Sequence, residues 1–505
     1  MICCLALSSC SGSIPVQPKT AETTLPPVVS KYTPPIGDAA LEYTGEVTLF
    51  LPRLDSLRLA SITQTIPLSA AKPQAENVVR ALLAHEGNNS VSSVGGHIKL
   101  ALYGANPVEI SRDVVTVNLA ASALQLERKA FFLACQAITN TLTSLPGIHY
   151  VNILVMDRAI GLDIAGTLPM GGLSRSVGED VGALYEQLLS QRVKTGEDPT
   201  ARGLTSLVTL YFPLALLDGI MPEARSISFD SQSPSDMVIH LLKELATGPQ
   251  QIGRSPALPG LSEQLVARPE LMDAPDGGGK LIVLRYAQNF DEMIAGLELN
   301  RATLMASICY TLSTFIPGVS GIQIYIGQDR VQNVLVRDSV NEVAILFNNA
   351  IQHRADYAAF LMDLGTLYLS SLDNKNLVQV ERPMPYYLTK NPRALLLELA
   401  KGPLTFDSVA SHPLMNLGAL KDSDLVGFAI NDYTLLVNFA PTFALVGQGF
   451  PPQQDRLLAY GLVNTLSSIS RIRRVCFFVA GEWPKDFSGE IQWAGDFYMN
   501  MGLVR

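Results

Sequence analysis

The sequence has no excess of positive charge, and this absence excludes a large class of functions. Its 505 residues include 37 Lys and Arg against 46 Asp and Glu, which gives a net charge of -9 at neutral pH. A protein that binds nucleic acid needs a basic face to neutralise phosphates, so we expect no nucleic acid among the partners. Charged residues make up only 16% of the chain and hydrophobic residues 48%, a composition typical of globular proteins.

Signatures of catalysis and of metal binding are also missing. The six histidines are scattered without an HExxH pattern, and no cysteine pair has CxxC spacing. Gly277 to Lys280 superficially suggests a phosphate-binding loop, but Leu281 and a strand follow, so we interpret it as a hairpin turn. Glu482 beside Trp483 is the best candidate for a catalytic acid, and this pattern is more typical of a surface residue. We predict no enzyme activity, metal or cofactor. A hydrolase remains a third hypothesis, since the spacing of two acids is spatial.

Long apolar runs are absent as well, and only the N-terminus suggests a membrane. No stretch approaches the roughly 18 to 20 apolar residues of a membrane-spanning helix. Met1 to Leu7 is apolar, and Ser8, Ser9 and Cys10 follow. This resembles a bacterial lipoprotein signal, in which the cysteine becomes lipidated and N-terminal after cleavage. The basic start of such a signal is missing and the apolar run is short, which indicates a misplaced start or a trimmed sequence. An accidental apolar N-terminus is the alternative. We expect lipidation at Cys10 and a location on the extracytoplasmic face of the cytoplasmic membrane.

One stretch recurs three times and organises the rest of the chain. The copies are NTLTSLPGI at 140–148, YTLSTFIPGV at 310–319 and NTLSSISRI at 464–472. Each follows a helical pattern and leads into a β-rich run, so the chain is predicted to hold three tandem repeats. We expect Thr141, Thr311 and Thr465 to bond backward to helix carbonyls, while the following leucine fills a core and Pro-Gly ends the helix.

Each repeat is predicted to run strand, helix, two-strand hairpin, helix, strand. This order gives an α+β fold of three tandem small domains, each with two helices on one face of a small mixed sheet. The predicted helices are Pro73 to Glu86, Leu126 to Thr143, Pro234 to Ala246, Leu299 to Thr314, Pro392 to Ala400 and Asp455 to Ser468. In the first hairpin, Val114 to Leu119 pairs either with Ile98 to Tyr103 or with the nearer Val108 to Ser111.

The predicted domain boundaries follow the repeats. They are a lipoprotein signal remnant at 1–10, a Pro-rich tether at 11–43, domains at 44–157, 204–330 and 361–482, linkers with a helix at 158–203 and 331–360, and a C-terminal tail at 483–505. The linker helices are expected at Val181 to Arg192 and Val343 to Arg354. Connectors with apolar faces predict an articulated rod with limited hinge freedom. Cys135, Cys309 and Cys476, one per domain, should be buried free thiols.

These motifs resemble the GerM-type domain of sporulation and germination lipoproteins. The match lies in the opening strands, in the Leu-Leu-Ala end of the first helix, in the strand Val115 to Leu119 and in the Thr-Leu motif with its Pro-Gly stop. It spans about Glu46 to Gly481 as three copies. The second copy departs from it at Ile282 to Tyr286, and the third has Ser470 and Arg471 in place of Pro-Gly.

The resemblance implies a fold close to the ring-building motif of secretion-system and sporulation-channel proteins. It implies non-catalytic domains that assemble in the cell envelope, with other envelope or sporulation proteins as partners. We therefore predict a lipid-anchored envelope scaffold that acts in sporulation or spore germination through protein–protein assembly, homo-oligomers included. The alternative is an envelope module that binds cell-wall glycan or a peptide in a groove between domains.

Overall fold

The computed structural model describes residues 31–69, 73–191, 204–215, 217–250, 257–258, 260–275, 277–297, 299–338, 341–407, 409–446, 449, 451–485 and 490–505. The chain divides into two bodies, Met1–Thr33 and Pro34–Arg505. In the first body, Lys31 Nζ lies 4.7 Å from the centre of the Tyr32 ring. Cys10, the predicted signal remnant 1–10 and most of the predicted tether lie outside the described residues. All that follows concerns Pro34–Arg505.

The same order of elements occurs three times in this body. A short strand precedes the first repeat, β1 Gly37–Ala40. The first repeat and its linker contain β2 Glu42–Pro52, β3 Leu59–Ser69, α1 Gln74–Ala84, β4 Val108–Ser111, β5 Val114–Leu119, α2 Arg128–Leu142, β6 Tyr150–Val155, β7 Arg158–Ala159 and α3 Val181–Leu189. The second contains β8 Leu204–Pro213, β9 Ile220–Phe229, α4 Pro234–Ala246, β10 Glu270–Asp273, β11 Lys280–Tyr286, α5 Phe290–Gly296, α6 Arg301–Phe315, β12 Val319–Ile326 and β13 Asp329–Arg330.

A hairpin and the third repeat complete the described fold. The hairpin is β14 Asn333–Asp338 with β15 Asn341–Leu346. The third repeat contains β16 Met362–Ser370, β17 Leu377–Pro385, α7 Pro392–Ala400, β18 Leu425–Asn431, β19 Thr434–Phe439, α8 Pro452–Ser467 and β20 Arg474–Val479.

Each repeat combines a long hairpin with a separate mixed sheet. The hairpins are β2–β3, β8–β9 and β16–β17, and the sheets have the orders β4-β5-β6-β7, β10-β11-β12-β13 and β1-β18-β19-β20. The central strands are β5, β11 and β19. In every sheet the strand before the central strand pairs antiparallel with it. The strand after the second long helix pairs parallel with it. The α+β fold class is therefore confirmed. In the first sheet β5 pairs with β4, Val108–Ser111, the nearer of the two predicted partners.

The first helix of a repeat has clear sequence signals for its buried face and for both of its ends. In α4 the side chains of Val238, Leu241 and Leu245 lie along one face and are fully buried. Pro234 starts the helix, where its missing N–H costs nothing, and Gly248 follows its end with φ at +76°. The same asymmetry makes α7 begin and end at its predicted residues.

The second long helix of each repeat, which follows the short α5 in the second repeat, lies between the hairpin and the sheet. Helix α2 contacts β2 and β6, α6 contacts β8 and β12, and α8 contacts β16 and β20. Almost the whole of α6 is buried, its serines and threonines included. A single sheet covered on one face, as predicted, would leave one side of such a helix exposed. The opening strand does not join the sheet, because the polar segment after it forms its own antiparallel partner.

The segment after each repeat is part of that repeat. It forms an antiparallel bridge beside the last main strand, at Val151 with Leu173, Ile322 with Gln352 and Val475 with Phe497. The described end of the predicted tail, 490–505, is therefore packed against the third repeat: Trp493 is fully buried and Leu377 bridges to Val504.

The second linker differs from its prediction. In place of a helix over Val343 to Arg354, residues Asn341–Leu346 form β15, which pairs antiparallel with β14. Val343 and Ile345 are β-branched residues at alternate positions, and β14 offers them Val336 and Val334 as cross-strand partners. Asn349, at a φ of 53°, follows the strand. In the first linker the predicted helix is present as α3.

The described end of the predicted tether is also structured. Within 31–43, the strand β1 pairs parallel with β18 of the third repeat. The guanidinium of Arg393 donates to both carboxylate oxygens of Asp38, at 2.7 and 3.0 Å, and Asn438 Nδ2 donates to Pro35 O at 2.9 Å. A Pro-rich composition therefore did not prevent this segment from completing a sheet edge.

The three repeats contact one another, the first and third included. The predicted articulated rod is therefore wrong in its linear arrangement. Gly172 N donates to Leu207 O at 2.8 Å between the first and second repeats. Ile220 bridges to Leu361 at the start of the third. Arg112 N donates to Asp363 Oδ1 at 2.7 Å between the first and third. Such contacts between all three pairs leave little hinge freedom.

Candidate functional site

The most regular contact in the molecule joins the central helix of each repeat to its opening strand. In every repeat the Oγ1 atom of the motif threonine accepts a hydrogen bond from a strand backbone N–H. The pairs are Phe50 N with Thr141 at 2.9 Å, Tyr211 N with Thr311 at 3.0 Å and Tyr368 N with Thr465 at 3.0 Å. All three threonines are fully buried. We call this contact the threonine clasp.

The clasp has a simple physical cause. One edge of β2 pairs with β3, while the other edge faces α2. A buried strand N–H needs an acceptor, and the helix carbonyls are already bonded within the helix. Thr141 Oγ1 supplies that acceptor. The predicted backward bond to a helix carbonyl is made by its neighbours, Thr139 Oγ1 to Cys135 O at 2.9 Å and Thr143 Oγ1 to Thr139 O at 2.8 Å.

A small residue lies one helical turn before each clasp, where the strand approaches. These residues are Ala137, Ser307 and Gly461. A Cβ built on Gly461 would lie 3.2 Å from Tyr368 O and closer still to the side chain of Leu414. Sequence reasoning missed this position, although small-x-x-x-Thr-Leu recurs in all three copies and was a usable signal.

The asparagine at the head of the motif fixes the segment that leaves the repeat. Asn140 Nδ2 donates to Ser176 O and Ser176 N donates to Asn140 Oδ1, both at 2.9 Å. Asn464 makes the same two bonds with Asn500, at 3.1 and 2.8 Å. The partner follows 36 residues after the asparagine in both cases. Neighbouring motif residues thus hold both the opening strand and the exit segment.

The second repeat has Tyr310 at this position and makes a different contact. The Tyr310 ring lies 3.8 Å below the Arg354 guanidinium, and its hydroxyl is 3.2 Å from Glu109 Oε1 of the first repeat. Arg354 also forms an ion pair with Glu109 and donates to Thr314 Oγ1 at 2.6 Å. Burial raises the pKa of Tyr310, so the phenol stays protonated. We call Glu109, Tyr310 and Arg354, with Tyr211, the junction cluster.

Two arginines, Arg225 and Arg382, join the hairpins of the second and third repeats to the ends of their first helices. Arg382 in β17 donates to Gly402 O, just past α7, at 2.7 Å. Arg225 in β9 donates to Gly248 O, just past α4, at 2.6 Å. Each arginine also pairs with a buried carboxylate. The equivalent position in the first repeat, read from the hairpin register, is the exposed Gln64.

The residues singled out as lookalikes of active sites do not come together. Gly277–Gly279 lies in the turn between β10 and β11, as predicted, and Asp276 is outside the described residues. Glu482 is exposed, and Trp483 stacks on Phe478 with the ring centres 4.9 Å apart. Within the described ranges no group of three or more His, Cys, Asp or Glu side chains could hold a metal ion.

Cys135, Cys309 and Cys476 are buried thiols, as predicted. Burial raises the pKa of the Cys309 thiol to about 12, so it behaves as a small apolar side chain. No helix in the part of the chain that the structure describes is long and apolar enough to cross a membrane.

Apolar side chains are exposed on the hairpin between the second and third repeats. Val334 is buried against the second repeat, but Leu335, Val343 and Leu346 are exposed to solvent over 49%, 52% and 76% of their surface. Exposed apolar positions of this kind often mark protein–protein contacts.

The geometry defines a class of protein: a chain of packed α+β repeats in which each central helix is clasped to a strand hairpin. Comparison with known proteins adds a family match for one of the repeats. Residues 48–160, the first repeat, match the family described as Germane, sporulation and spore germination. The first repeat thus resembles a family that is described by its role in sporulation and spore germination.

Two solved structures resemble the chain. The tandem GerMN domains of the sporulation protein GerM from Bacillus subtilis are 18% identical, with 57% of this chain and 96% of that chain covered and a TM-score of 0.22. A protein of Clostridium perfringens described as a candidate lipoprotein is also 18% identical, with 22% and 74% covered and a TM-score of 0.15. Both TM-scores are too low to establish a shared overall architecture. None of the curated proteins compared with the chain matches it.

The threonine clasp predicts a clear difference between two neighbouring threonines. Thr141→Val keeps the shape but leaves Phe50 N–H buried without an acceptor, and should lower the free energy of unfolding by about 1 to 3 kcal/mol. Thr143→Val removes a hydroxyl whose acceptor, Thr139 O, still receives the backbone bond from Thr143 N, and should change it by about 0.5 kcal/mol or less. Urea denaturation followed by circular dichroism measures both. Equal losses would show that Thr141 acts only through helix propensity.

Proposed function

We propose that this protein is a non-catalytic, lipid-anchored scaffold of the cell envelope, built from three GerM-type domains and acting in sporulation or spore germination. The family match of the first repeat carries the proposal. The second and third repeats support it, because the element order and the threonine clasp of the first recur in them. Contacts between all three pairs of repeats leave little hinge freedom, which suits a structural role.

The anchor in this proposal is Cys10, on the extracytoplasmic face of the cytoplasmic membrane. It is supported by the sequence alone: an apolar segment, two serines and then cysteine. We expect mass spectrometry of the native protein to find a mature N-terminus at Cys10 carrying lipid. The Cys10→Ala variant should lose the modification and leave the membrane fraction. An unmodified Cys10, or a chain that still begins at Met1, would overturn the anchor and leave the scaffold standing.

The assembly surface that we assign is the hairpin β14–β15, with a second copy of the chain as its partner. Like copies of a chain with net charge -9 repel each other. The exposed Leu335, Val343 and Leu346 offer an apolar contact that works against this repulsion. Sedimentation velocity should show concentration-dependent dimers or larger species. Leu335→Lys with Leu346→Lys should shift the chain to monomer, whereas Leu372→Lys, at another exposed leucine, should not. Monomer alone at every concentration of the wild type would contradict this assignment.

A further inference from the structure

A cavity of about 280 Å³ lies between the first and third repeats. The turn between β4 and β5 forms one wall, and the start of β16 with the segment between β17 and α7 forms another. Its apolar lining includes Ile110, Leu145, Ile148 and Leu364, and its polar lining includes Arg112, Asp363, Thr389 and Lys390. The volume is close to the lower end of small-ligand sites, which start at about 300 Å³.

Two copies of the repeated motif meet at this cavity. Leu145, Pro146 and Ile148 come from the helix stop of the first repeat, and Ser470 comes from the same place in the third. The aromatic pair Tyr386 and Tyr387 completes the lining, with Tyr386 buried and Tyr387 42% exposed. The cavity therefore exists only when the two repeats are packed as they are here.

The charges around the cavity favour an anion. Arg112 and Lys390 are partly buried, and neither forms an ion pair within 4.0 Å among the described residues, although the chain carries more acids than bases. The one acidic side chain in the lining, Asp363, is held by Arg112 N at 2.7 Å and by Thr389 Oγ1 at 3.5 Å. Burial raises the pKa of Asp363, and these hydrogen bonds and the nearby charge of Lys390 oppose the shift. The two cations outnumber this one carboxylate, which already accepts hydrogen bonds from Arg112 N and Thr389 Oγ1.

We infer that this cavity binds a carboxylate carried on a short apolar stem, with Arg112 and Lys390 holding the carboxylate and Ile110, Leu145 and Ile148 contacting the stem. A peptide C-terminus and a free small carboxylic acid share this chemistry, and the volume limits either to about the size of a dipeptide. Charge-assisted hydrogen bonds from two cations give specificity for the anion. The inference is independent of the scaffold function, because it needs neither the anchor nor assembly.

Calorimetric titration of the full chain tests the site with three probes. N-acetyl-Ala-Ala supplies a peptide carboxylate, N-acetyl-Ala-Ala amide removes the charge, and butyrate supplies a carboxylate without peptide groups. We expect saturable binding of the acid and at least tenfold weaker binding of the amide, since hydrogen bonds to a charged group are worth about 1.5 to 3 kcal/mol. Butyrate binding as tightly as the dipeptide acid assigns the site to free carboxylic acids, and weaker binding assigns it to a peptide terminus.

Matched variants locate the binding. Arg112→Gln and Lys390→Gln should each weaken the acid about tenfold and leave the amide unchanged. The Arg112 substitution keeps the backbone bond to Asp363, so folding should be preserved, which the melting temperature checks. Lys375→Gln removes an exposed lysine from the β16–β17 turn and should have no effect. No saturable binding of either carboxylate, equal binding of acid and amide, or an equal loss in Lys375→Gln would each overturn the inference.

Discussion

Replacing Arg354 with methionine is expected to lower the free energy of unfolding by about 3 to 5 kcal/mol, since removing one partner of a buried ion pair leaves the other charge uncompensated. The Arg354 side chain is 4% exposed and that of its partner Glu109 is 12% exposed. The same guanidinium covers the Tyr310 ring at 3.8 Å. Without it, the bond from the Tyr310 hydroxyl, at 3.2 Å, is the one side-chain hydrogen bond that the described residues still give the Glu109 carboxylate.

Two further variants separate the ion pair from simple loss of volume. Arg301→Met removes an arginine whose pair with Asp291 is exposed, at 38% and 46%, and should cost about 1 kcal/mol or less. Adding Glu109→Gln to Arg354→Met should recover part of the loss, because the uncompensated charge is gone. Urea denaturation gives all the values. A double variant no more stable than Arg354→Met would show that packing against Tyr310, rather than charge, dominates the junction cluster.

The sequence predicted those helices whose start and end are marked by their own residues. Pro234 and Pro392 start helices and Gly248 and Gly402 follow their ends, so α4 and α7 were placed to the residue. The hydrophobic pattern and the recurring Thr-Leu motif also gave the number of repeats seen in the element order. These signals are local, and they depend on backbone freedom that each residue type has by itself.

Contacts between distant segments could not be read in the same way. Glu109 and Arg354 are 245 residues apart, and no local sequence pattern around either residue predicts that they pair. The helix predicted for Val343 to Arg354 was wrong. The spacing of its apolar residues fits both a helix and a strand, and pairing with β14 favours the strand. The clasp was missed for a related reason. The threonine pattern was visible, but its acceptor role depends on a buried strand edge about 90 residues earlier, which has no strand partner on that side.

The third repeat offers the second large effect, at Arg382. This side chain is fully buried, and its guanidinium donates to both carboxylate oxygens of Asp407, at 3.0 and 2.6 Å, and to Gly402 O at 2.7 Å. Arg382→Met should lower the free energy of unfolding by about 3 to 5 kcal/mol, because Asp407, 2% exposed, is left charged in the core. Thermal or urea unfolding of the full chain measures the loss.

A neighbouring lysine supplies the matched control for Arg382. Lys401 pairs with Glu398 at 2.6 Å and is 59% exposed, and the same Glu398 also pairs with Arg382 at 3.1 Å. Lys401→Met should therefore cost about 1 kcal/mol or less, since exposed pairs contribute little. The loss of unfolding free energy in Arg382→Lys should lie between those of the two methionine variants. An ammonium keeps the charge but cannot make the planar, two-point contact with Asp407. Full stability in Arg382→Lys would show that charge alone matters, and a small loss in Arg382→Met would show that Asp407 finds another partner or a proton.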